Sequence, residues 1–294
     1  MKIGLYNLQP QFINIALEKI RKYYGERGDE VSDCSPLEGG QFDQVYCSSI
    51  FEWTSQKYVA PNMITGGTGF DLTTKLPPEI EGVNIYKNIG FTTRGCIRDC
   101  KFCVVRRKEG VVKAVGDLYD LWDRISHRIT LLDNNILALK SHFAMICGQA
   151  REENIELDFN QGLDHRLLTS EVVELLKSIR HHEYRFAFDS PLMIDSVGDA
   201  ITLLQSQGIS RCSWYVLCGF DTTFEEDLFR LNYLRERNQN AYVQRYRRNG
   251  TKEDKRLTAL ARWGNQHRIF QAMTWPEFLA HPDNKGYKNL LGAT

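Results

Sequence analysis

"GFTTRGCIRDCKFCVV", residues 90–105, carries three cysteines within eight positions: Cys96, Cys100 and Cys103, with Phe102 directly before the last. Three thiols are an odd number for disulfides and one short of a closed structural zinc site. Soft thiolates favour zinc, copper(I) or iron–sulfur clusters. His127 and His142 stand too far along the chain for zinc-finger spacing, although a distant fourth ligand stays open as an alternative. Three thiolates also suffice for three irons of a [4Fe–4S] cube, whose corners are otherwise Cys-ligated. The fourth iron is then left for a ligand that is not protein.

Outward from this loop the chain is rhythmic. The strand-like run 89–92 feeds the cysteines. Further strands are expected at 129–132, 155–159, 185–188, 213–217 and 241–244. Helix-like runs at 118–123, 140–150, 170–180, 194–207 and 224–236 separate them. Six βα-type units in this order predict a partial (β/α)6 TIM-like barrel over residues 84–248. The strand bodies read as apolar, and chemistry-bearing residues collect at the strand ends. These are the cysteines, then Asp133, Asn134 and Asn135, then Asn160, Gln161 and Asp164, then Asp189, then Cys218 and Gly219, then Arg245. Turns need Gly and Asp in any protein, but a run such as "DFNQGLDHR" exceeds that need.

Residues 1–75 predict a small Rossmann-like α/β unit, with strands at 2–7, 44–51 and 63–65 and a helix over 11–24. "GERGDEV" and "SPLEGGQFD" read as turns, and 76–83 as a linker. Residues 249–294 predict a helical extension that packs across the open side of the barrel. From Arg245 onward there are ten Lys/Arg against four Asp/Glu, in a chain of zero net charge. The interleaved Tyr242, Tyr246, Trp263 and Trp275 make a polyanion one possible partner of this tail; a solvated basic face is the plainer reading.

A Cx3CxφC triplet behind the first strand of six βα units resembles the radical S-adenosylmethionine (SAM) superfamily, over roughly residues 88–248. The resemblance implies a [4Fe–4S] cluster on Cys96, Cys100 and Cys103, and SAM on the open iron. It implies reductive cleavage of SAM to a 5′-deoxyadenosyl radical that abstracts hydrogen from a substrate. An electron donor such as flavodoxin or ferredoxin is implied as partner. Carried over by position, Phe102 packs beside the adenine, and "LLDNNIL" offers Asp133, Asn134 and Asn135 to the SAM ammonium, although the family's glycines are absent there. Asn160, Gln161 and Arg166 fall on the segment that meets the SAM carboxylate and ribose. Gly219 lets the backbone approach adenine, and the strand from Tyr242 to Arg245 offers backbone to it. Asp164, Asp189 and Cys218 are the catalytic candidates, with His165 and Asp221 as further substrate contacts and Tyr242 or Tyr246 as radical quenchers.

The N-terminal unit resembles a shortened cobalamin-binding-like domain, as in some bacterial and phage members. The Asp-x-His-x-x-Gly motif for the axial histidine is absent, which argues against cobalamin and leaves a cobalamin-dependent methyltransferase as an alternative. The three N-terminal cysteines of the methylthiotransferases are absent too, since Cys34 and Cys47 stand alone. A non-catalytic iron–sulfur or zinc protein that binds nucleic acid is the alternative from another class. The substrate class is open between nucleic acid and peptide. No run approaches the ~20 apolar residues of a membrane span, and no signal peptide is apparent. A cytoplasmic protein without membrane contact is therefore expected, with Cys147, Cys212 and Cys218 read as buried small hydrophobes.

Overall fold

The computed structural model describes residues 1–52, 54, 61–247 and 254–290, with the backbone alone at 288 and 290. The expected barrel-to-tail boundary at 248–249 lies outside the described residues. The N-terminal unit is a four-stranded parallel sheet of order β2-β1-β3-β4, built from β1 (Lys2–Asn7), β2 (Glu30–Asp33), β3 (Gln44–Ser48) and β4 (Met63–Gly66). One strand more is present than the sequence suggests. β2 reads "EVSD", in which Val31 alone packs on the apolar cluster of this unit, so it carries no apolar stripe; parallel pairing to β1 makes it a strand. Helix α1 (Ile15–Glu26) starts four residues later than its pattern implies. The Asn7 side chain takes the preceding stretch into a turn by donating to Phe12 O at 3.1 Å and accepting from Gln9 N at 3.0 Å. Asn14 then caps the helix, accepting from Leu17 N at 3.2 Å. Leu17 and Ile20 of α1 pack on Ile3 and Leu5. The segment expected to be a linker belongs to this unit, because α2 (Pro78–Glu81) buries Ile80 in the same cluster.

In open parallel sheets, ligands enter where the strand order reverses, here between β1 and β3. That crevice is filled by the chain itself. Gln9 is buried, donates to Thr54 Oγ1 at 2.8 Å and accepts from Ile50 N at 2.7 Å. A Cβ on Gly67 would lie 2.2 Å from Ser49 O, so the loop after β4 packs directly on the backbone beyond β3.

The remainder is mixed α/β built mostly from parallel strands. β5 (Ile89–Gly90) is followed by a two-stranded antiparallel hairpin of β6 (Thr93–Arg94) and β7 (Lys113–Ala114), with α3 (Val105–Glu109) between them. β8 (Arg128–Leu131), α4 (Lys140–Glu152), β9 (Glu156–Phe159), α5 (Ser170–Lys177) and β10 (Arg180–His181) follow, then β11 (Arg185–Ala187), α6 (Ile194–Ser206), β12 (Ser213–Cys218), α7 (Phe224–Glu236) and β13 (Asn240–Arg245). They form two parallel sheets, β10-β9-β8-β5 and β11-β12-β13, joined by one parallel bridge between Leu163 and Phe186. The helix expected over 118–123 is a single 3-10 turn at Leu118–Asp120, and the end of the helix expected over 170–180 becomes β10.

The strand bodies alternate rather than being apolar throughout. One face supplies Ile129, Leu131, Leu157, Phe159, Phe186, Trp214, Val216 and Val243 to a single core under α4 to α7. The opposite face carries Arg128, Asp158, Arg185 and Tyr215. Asp158 pairs there with Arg128 at 2.9 Å and with Arg185, and the two cations hold its carboxyl below the usual range against its burial. Period-two alternation in "RITL" and "ELDF" encodes this.

The tail continues the helical layer. Ala259, Leu260 and Trp263 of α8 (Lys255–Gly264) enter the main core beside β13, on the helix side of the sheet and not across its polar face. α9 (His267–Ala272) and α10 (Trp275–Ala280) pack behind it. Trp263 and Trp275 are thus core residues and cannot interleave a polyanion surface. Among the described residues no helix is long and apolar enough to cross a membrane.

Candidate functional site

The cysteine loop is pinned at both ends by backbone. Gly95 sits at φ +86°, and a Cβ there would meet Val111 O at 2.5 Å and Gly110 O at 2.7 Å, so only glycine fits. Cys96 N donates to Gly110 O at 3.2 Å, and Cys103 N to Cys100 O at 2.9 Å. Glu109 gathers the surroundings. It accepts from Gly95 N at 3.0 Å and from Asn134 Nδ2 at 3.0 Å, and pairs with Arg94 at 2.9 Å. Arg106 clamps the loop from α3 by donating to Cys96 O at 3.1 Å.

The ends of β8 and β9 close on this loop. Asp133 is buried, and its Oδ1 accepts from Thr92 N at 3.1 Å and Thr92 Oγ1 at 3.0 Å, and from Thr93 N and Oγ1. Burial drives its carboxyl above the ordinary range. Asn135 Nδ2 lies between Cys96 Sγ at 3.4 Å and Asp164 Oδ2 at 3.2 Å. Asp164 also binds Arg98 Nε at 2.8 Å and Arg166 Nε at 2.7 Å, and these guanidiniums hold it ionised although burial opposes that. Asp164 therefore ties the cysteine loop to the end of β9, and its lone pairs are already committed.

Asp189, beyond β11, differs. Burial pushes its carboxyl up to about 6, with Arg230 and Arg166 pulling the other way. Arg230 is fully buried, pairs with Asp227, and donates to Phe188 O at 2.5 Å and Leu217 O at 2.7 Å, which fixes the ends of β11 and β12. Phe102 packs edge-on against Phe220 at 5.6 Å, and Phe220 against Tyr246 at 4.7 Å. This aromatic row joins the cysteine loop to the ends of β12 and β13.

Several expected site residues lie elsewhere. Cys218 is fully buried among the core residues, and burial drives its thiol far up, so it has no route to a substrate. His165 is buried against Trp214 with its pKa pushed down to about 4, which makes it a neutral core histidine hydrogen-bonded to Ser196 at 3.0 Å. The bare side of Gly219 faces Leu257 of α8, 2.6 Å from where a Cβ would be, so its freedom serves helix packing. The backbone of the last strand is already taken at Val243. Asn265 accepts from Val243 N at 2.6 Å and donates to Val243 O at 3.3 Å, like a further strand. Tyr242 is half-exposed in mid-strand with its ring edge-on to Tyr215. Asn160 and Gln161 are exposed at the end of β9, and Asp221 is exposed on a turn at φ +42°. Arg98, Glu109 and Asn265 were not legible as site residues, because each acts through a partner distant in sequence.

Among the described residues, no group of three or more His, Cys, Asp or Glu side chains is gathered tightly enough to hold a metal ion. The chemistry of the cysteine donor set nonetheless suits iron–sulfur ligation. The three half-buried thiols lie within each other's electrostatic reach, and burial pushes Cys100 and Cys103 up, so a bound metal is what would ionise them. Cys96 Sγ already accepts from Arg98 N at 3.3 Å, the kind of contact that tunes a cluster sulfur. Two buried acceptors beside the loop, Asp133 Oδ2 and Asn135 Oδ1, have no donor. Buried orphan acceptors are costly, and an alkylammonium group supplies the donors they lack. No protein-family model matches the chain, and no curated protein matches its sequence.

Proposed function

We propose that this protein is a radical SAM enzyme whose βα units form one partial six-unit barrel. One observation carries the reading: a Cx3CxφC loop behind β5 lies against two donorless buried acceptors at the end of β8. Cys96, Cys100 and Cys103 would hold a [4Fe–4S] cluster, and Asp133 and Asn135 would hold the ammonium of SAM. Bound there, cluster and SAM supply a one-electron cleavage that yields a 5′-deoxyadenosyl radical.

The chain's own residues orient and enclose. Asp164 keeps Arg98 and Asn135 on the cysteine loop. Phe102, Phe220 and Tyr246 exclude water from one side. Asp189, with its carboxyl at about 6, holds or releases a proton near neutral pH at the ends of β11 and β12. Anaerobic reconstitution tests the reading: about four irons per chain and conversion of SAM to 5′-deoxyadenosine under dithionite are expected, both lost in Cys100→Ala. Stoichiometric zinc without SAM cleavage would reject it.

A further inference from the structure

Electrons for such a cluster must arrive from outside, and the surface over the cysteine loop is unusual in charge. From Arg94 to Lys113 the chain carries seven Lys/Arg (94, 98, 101, 106, 107, 108, 113) against two acids (99, 109), inside a protein of zero net charge. Some of these cations are consumed internally: Arg94 by Glu109, Arg98 by Asp164, Arg106 by Cys96 O. Lys108 is turned to the N-terminal unit, donating to Thr68 Oγ1 at 3.3 Å. Lys101, Arg107 and Lys113 are exposed, and no carboxylate among the described residues pairs with them. Asp99 is the one exposed acid of this stretch. Three apolar side chains of the same loop and hairpin are also in water: Ile97 at 42%, Val111 at 57% and Val115 at 48% exposure.

These residues converge on the thiols. Ile97 follows Cys96, Val111 follows the Gly110 carbonyl that accepts from Cys96 N, and Lys113 lies opposite Arg94 in the hairpin. Arg107 is within electrostatic reach of Cys103. A small basic surface studded with apolar contacts, directly over a redox centre, suits a brief encounter with an acidic protein, steered by charge and released quickly. A nucleic acid would also be drawn by charge, but the stretch offers no exposed aromatic on which a base stacks. Resting on the radical SAM reading, we infer that the face formed by Ile97, Lys101, Arg107, Val111, Lys113 and Val115 is the docking site of an acidic one-electron carrier protein of the flavodoxin kind.

The test uses the full chain after anaerobic reconstitution, and an acidic flavodoxin as probe. Interferometry at low salt reads the dissociation constant; the flavodoxin-driven reduction rate is read separately. Each exposed pair contributes about 2- to 5-fold, so Lys101→Glu/Lys113→Glu is expected to weaken binding about 4- to 25-fold, and raising salt weakens wild type in the same sense. Dithionite needs no docking surface, so dithionite-driven SAM cleavage in this variant stays within about twofold of wild type. Equal flavodoxin affinity in both chains, or none in either, overturns the docking face while leaving the cleavage chemistry standing. Loss of a 20-nucleotide single strand rather than of flavodoxin in the variant reassigns the face to a polyanion. Absence of dithionite-driven cleavage in wild type refutes the enzymatic reading itself.

Discussion

Replacing Asp164 by Asn removes one charge and almost no volume, and it decides whether this residue is a staple or a base. The carboxylate is 6% exposed and meets Arg98 Nε at 2.8 Å and Arg166 Nε at 2.7 Å, with the two guanidiniums 32% and 30% exposed. A fully buried pair broken on one side costs ~3–5 kcal/mol, and an exposed pair ~0.2–1 kcal/mol. With the cations one-third in water, solvent screening holds each pair to the top of the exposed range, about 1 kcal/mol, or about 2 kcal/mol for the site. Urea unfolding of the iron-free chain at pH 7 is expected to show that loss, and reconstitution a lower iron content, because Arg98 and Asn135 lose their anchor. The pH dependence has a definite sign. Asp164 has a lowered folded pKa, so its contribution is present above the unfolded value of ~3.9 and fades as pH falls through the folded value. Wild type and variant therefore converge in acid. A stability change below about 0.5 kcal/mol with unchanged iron content would refute the staple; an intact fold with lost turnover would restore Asp164 as a catalytic base.

Asp189 gives the opposite pH signature: its folded pKa of about 6 lies above the unfolded value, so its contribution to stability is lost as pH rises from ~4 to ~6. Asp189→Asn should flatten that slope and stabilise the iron-free chain at pH 8, as read by chemical denaturation across pH. Gly95→Ala sets a Cβ against the Val111 and Gly110 carbonyls at φ +86°, so at least ~1–2 kcal/mol of strain and a sharp fall in bound iron are expected; normal iron loading would refute the fit. Asn265→Ala frees Val243 N and O at the edge of β13; about 1–2 kcal/mol is lost, and size-exclusion chromatography should show self-association through the uncovered edge.

The alternation of apolar runs with turn residues made the α/β class and most of the βα order readable, because each element buries its own periodic stripe. β2 escaped notice because "EVSD" has no stripe and exists only by pairing with β1. Asn265 escaped notice because a side chain that imitates a strand leaves no periodic mark. Cys218 and His165 looked like strand-end chemistry and are core: in β12 one residue of alternation separates the polar face from the helix face, and His165 opens a short turn that lays its ring on Trp214.

By itself the sequence determined the local facts. Three thiols share one short loop, and polar residues cluster where strands stop. Only the tertiary structure decided which of these meet. Asp164 reaches Arg98 across 66 positions, and Asn135 reaches Cys96 across 39. Contacts of that range are set by how sheets and helices stack, and burial and charge in that packing, not the residue types alone, leave Asp164 ionised, lift Asp189 toward neutrality and withdraw Cys218 from solvent.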